Sequence, residues 1–76
     1  MTQMPANISA PISRLELTSI QALVAYAAIE QNANEELVSA MLKAKFGIEE
    51  VAQLPGHAFN DAIRFLVDLQ IDMALN

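Results

Sequence analysis

The stretch from Phe46 to Leu69, FGIEEVAQLPGHAFNDAIRFLVDL, contains two breaks in quick succession, Gly47 and Pro55-Gly56, and no regular element can run through either. Before the first break, Lys43 and Lys45 sit where cations complement the carbonyl-rich end of a helix. Gly47 can take the left-handed conformation that closes that helix, and Ile48 can fold back on its last turn. Between the breaks, Glu49–Leu54 is too short for an independent helix. Its apolar residues Val51, Ala52 and Leu54 suit a single helical turn pressed on a core. After the second break the apolar residues Phe59, Ala62, Ile63, Leu66, Val67 and Met73 recur at helical spacing, while Asp61, Arg64, Asp68 and Asp72 fall on the other side as a solvated face.

The same logic extends upstream. A second helix ends at Phe46 and presents Leu37, Val38, Met41, Leu42 and Phe46 on one side. Asn32 with Glu35 reads as its capping pair and Asn34 as the competing cap, with Glu35 and Glu36 favourably placed in the dipole field. A first helix is predicted to start near Thr18, with Leu17 as an apolar staple, and to end at Gln31. Ile20, Leu23, Val24, Ala27 and Ala28 form its buried stripe. Ala25, Tyr26 and Ile29 widen the stripe around most of the circumference, which implies contact on more than one side. Pro5 and Pro11 exclude a regular helix from the first residues, so 1–14 is expected to be a flexible or extended arm. Ile8, Ile12 and Leu15 would be its apolar anchors if it formed an edge strand or lay across a partner.

The expected architecture is an all-α, small three-helix domain spanning 15–76, with helices Thr18–Gln31, Asn34–Phe46 and His57–Ala74, an extra short helical turn before the last helix, and the N-terminal arm. At 76 residues, a chain buries only about 60–65% of its unfolded surface and is marginally stable unless supplemented. There is no cysteine to supplement it. Hydrophobic residues make up 54% of the chain, and three short helices leave little interior for them. A dimer or another partner surface is therefore expected, with Tyr26, Ile29, Met41, Phe65 and Met73 as its candidate residues.

The net charge of −5 repels phosphate backbones and anionic membranes. The longest apolar run, Ala22 to Ile29, falls well short of the ~20 residues of a membrane span. No secretory signal pattern opens the chain, so a cytoplasmic setting is expected. His57 is the single histidine and has neither a second histidine nor a nucleophile placed around it, which favours a cap or a solvent-facing role over a metal or catalytic one. Asp61, Asp68 and Asp72 share a helix face and lack the irregular glycine-turned loop that calcium requires. No cofactor, metal or catalytic residue is assigned.

Leu17-Thr18 followed by Gln21, Leu42-Lys43 leading into Phe46-Gly47-Ile48, then Leu54-Pro55, Phe59, Asp61-Ala62-Ile63 and Phe65-Leu66 form a pattern covering about residues 17–69. It resembles the small helical domain at the C-terminus of phage antirepressor and phage regulatory proteins. Related segments also end some phage recombination proteins. The resemblance implies a helical fold and a phage or prophage setting, and it implies no catalytic residue. Where that family often carries basic and aromatic residues before the Phe-Gly pair, this chain has Ser39, Ala40 and Ala44. The first functional expectation is thus a non-enzymatic protein-interaction module or small regulator that self-associates, or binds a host or phage protein, through apolar helix faces. The alternative is a DNA-binding regulator using the helix pair around the Phe-Gly turn as a helix-turn-helix.

Overall fold

In a computed structural model, described over residues 10–71, the chain forms three α-helices and two single 3₁₀ turns. Helix α1 is Arg14–Glu30, α2 is Glu35–Phe46 and α3 is Phe59–Asp68, with 3₁₀ turns at Val51–Gln53 and Gly56–Ala58 between the last two. No strand occurs among the described residues, so the fold is all-α. The long first helix packs against both α2 and α3.

Helix α1 begins four residues before the expected Thr18. Its cap is Ser13, whose hydroxyl accepts from the Glu16 amide at 3.1 Å while the Glu16 carboxylate accepts from the Ser13 amide at 2.8 Å. This reciprocal pair satisfies two groups a helix start would otherwise leave open. Thr18 is left on the exposed side of the helix. The preceding residues explain why the earlier cap wins. Ile12 is buried in the core, its amide donates to the Leu54 carbonyl at 2.9 Å, and the Gly56 amide donates to the Ala10 carbonyl at 2.7 Å. Pro11 and Pro55 face each other in the antiparallel bridge between these two bonds. That is the pair of positions in such a ladder that needs no amide donor, so neither proline leaves a bond unmade. Gly56 lies under this crossing, where an added Cβ would sit 3.4 Å from the Ala10 carbonyl oxygen.

The break between α1 and α2 uses both asparagines, for different tasks. Asn32 takes a positive φ of 55°, and the Ala33 amide then reaches the Ala28 carbonyl at 2.8 Å, closing α1 as a left-handed C-terminal motif. Asparagine tolerates this conformation better than other residues with a Cβ. The α2 cap is Asn34, whose side-chain oxygen accepts from the Leu37 amide at 2.8 Å. At the far end of α2, Gly47 is left-handed with φ 67° and the Ile48 amide bonds the Lys43 carbonyl at 3.0 Å. The Gln53 side chain then accepts from the Glu49 and Glu50 amides at 3.1 and 3.0 Å, pinning the short turn.

The core is built from Ile20, Val24, Ala27 and Ala28 of α1, Val38 and Leu42 of α2, Ala62 and Leu66 of α3, and Ile12, Leu54 and Ala58 from the connections. Ile20, Val38, Leu42 and Leu54 are fully buried. Two expectations for the last helix are corrected. It begins at Phe59, after the 3₁₀ turn containing His57, and it ends at Asp68, with Leu69 extended. Ile71 is held instead by the side chain of Gln31, which accepts from its amide at 2.7 Å and ties the exit of α3 to the end of α1. Val67, expected in the core stripe, is 65% exposed. It follows the buried Leu66 by a rotation of about 100°, and α1 covers only one side of α3.

Candidate protein-interaction surface

Helix α1 has one face in the core and a second, apolar face with nothing over it among the described residues. Leu15 is 80% exposed, Ile29 77% and Tyr26 60%. Ala22, Thr18 and Ser19 are exposed between them. Leu15, Ala22 and Ile29 are spaced by seven residues, close to two helical turns, so they align along one edge of the cylinder. An isolated exposed leucine means little, whereas a row of apolar side chains along a helix is a surface suited to another helix.

At its C-terminal half this face meets α3 across a groove of about 350 Å³ lined by Leu23, Tyr26, Leu66, Val67 and Leu69. The exposed Val67 and Tyr26 are thereby brought into one patch although they are far apart in sequence. Glu30 lies at the edge of the groove. The Tyr26 hydroxyl donates to the Glu30 carboxylate one turn on, and this hydrogen bond, reinforced by the carboxylate charge, raises the phenol pKa above its ordinary value of 10.0.

A second groove of about 600 Å³ lies on the other side of the chain segment leaving α3, between the end of α2 and α3. Phe46 and Phe65 form its floor in an edge-to-face pair, with ring centroids 6.4 Å apart and planes at 84°. Such a pair contributes ~0.5–1.5 kcal/mol beyond area burial. Lys45, Arg64, Asp61 and Asp68 surround it. Cations and anions are mixed around this opening, so it has no single-sign field of the kind that selects a phosphate or a metal.

The five candidate residues named from sequence thus separate. Tyr26 and Ile29 lie on the open α1 face. Phe65 is half-buried in the second groove against Phe46, and Met41 is half-buried on α2. Met73 lies outside the described residues. Leu15, Ala22 and Val67 belong to the surface and were not among the candidates. The seven-residue spacing from Leu15 to Ile29 was a usable signal, masked by assigning Leu15 to the edge of the arm. Val67 had no such signal, since its exposure depends on where α1 crosses α3. His57 is exposed at the second 3₁₀ turn. Among the described residues no three His, Cys, Asp or Glu side chains are grouped so as to hold a metal, and no helix is long and apolar enough to cross a membrane.

No known protein family matches this chain, and neither do the curated proteins or solved structures with which it was compared.

Proposed function

We propose that this chain is a small, non-enzymatic protein-interaction module of phage or prophage type. In this reading it acts in the cytoplasm as a regulator through its apolar helix faces, by self-association or by binding a host or phage protein. The observation that carries the proposal is the outer face of α1, where Leu15, Tyr26 and Ile29 remain largely exposed in a helix whose opposite face is core. Leaving such a row in water forgoes favourable burial, at roughly 25 cal/mol per Å², that a partner would supply. The phage setting rests on the resemblance of the Phe46-Gly47-Ile48 and Leu54-Pro55 pattern and of the helix after it. The net charge of −5 and the mixed charges around Arg64 and Lys45 favour a protein partner over duplex DNA.

The test is a photoreactive side chain placed at Ile29 in the full chain, irradiated in cells that produce it, with the same group at the exposed Asn60 as control. Discrete protein adducts at position 29 and none at position 60 are expected. Equal, diffuse labelling at both positions would overturn the reading.

A further inference from the structure

No further inference is drawn: the strongest candidate, the open apolar face of α1 along Leu15, Tyr26 and Ile29, carries nothing beyond the reading above, because nothing in the structure shows what covers it.

Discussion

Single residues decide where the helices of this chain start and stop, and each decision can be measured. Ser13→Ala should cost about 1 kcal/mol in chemical denaturation, because it leaves the Glu16 amide without the hydroxyl it now meets at 3.1 Å. Thr18→Ala should be neutral or slightly stabilising, since Thr18 is an exposed interior residue of α1 and alanine is the better helix former. A large loss at Thr18 and none at Ser13 would reverse the assignment of the cap. Tyr26 offers a second reading at this scale. Its phenol is held in the protonated form by the bond to Glu30, so the stabilisation from that bond is complete below the ordinary tyrosine pKa. It is lost as the pH rises through the higher folded value. The ultraviolet titration of Tyr26 should have a midpoint above 10.0 in the folded protein, and Glu30→Gln should lower it. An unchanged midpoint in that variant would show that the carboxylate is not the cause.

At the scale of elements, adjacent positions in α3 answer differently. Leu66 is buried and Val67 is 65% exposed. Leu66→Ala should therefore cost about 2–5 kcal/mol, through lost transfer energy and the cavity left between α1 and α3. Val67→Ala should change monomer stability by less than about 0.5 kcal/mol. Equal effects in urea denaturation would mean that Val67 is covered. The segment before α1 is an element too, although it is neither helix nor sheet. Ile12 fills the core from outside the three helices, and its bond to Leu54 fixes the chain direction that lets Ser13 cap α1. Amphipathic stripes and glycine or asparagine stops were legible in the sequence because they depend on neighbours three or four residues away. Legibility stopped where two local signals competed. Ser13 against Thr18 was settled by docking Ile12 on the Leu54–Gly56 segment. Asn32 against Asn34 was settled by Asn32 taking the left-handed position that closes α1, which leaves Asn34 to cap α2.

For the whole molecule, the proposed self-association would couple association to the stability of a small domain. The melting temperature should rise with protein concentration, because the partner binds only the folded form. Ile29→Glu should remove that dependence while leaving the dilute-limit melting temperature nearly unchanged. A melting temperature independent of concentration in the parent chain would count against self-association. Charge acts at the same scale. With four basic and nine acidic residues, the protein should show no micromolar complex with random duplex DNA in a low-salt anisotropy titration, where phosphate contacts are strongest. A clear complex under those conditions would favour the helix-turn-helix reading.

The sequence by itself determined the helical class, the breaks at Gly47 and Pro55-Gly56, the closing turn between them, the core stripe of α1 and that of α2 apart from Leu37, which was expected on the stripe and is exposed. Each of these is written in short-range periodicity and in residues whose backbone preferences are local. Only the tertiary structure decided that Ile12 belongs to the core, that Val67 does not, and that the second apolar side of α1 is uncovered among the described residues. Burial is a property of what lies opposite a side chain. In this chain the opposite surface is set by how α1 crosses α3 and by the pairing of Pro11 with Pro55, contacts between residues tens of positions apart that no local pattern encodes.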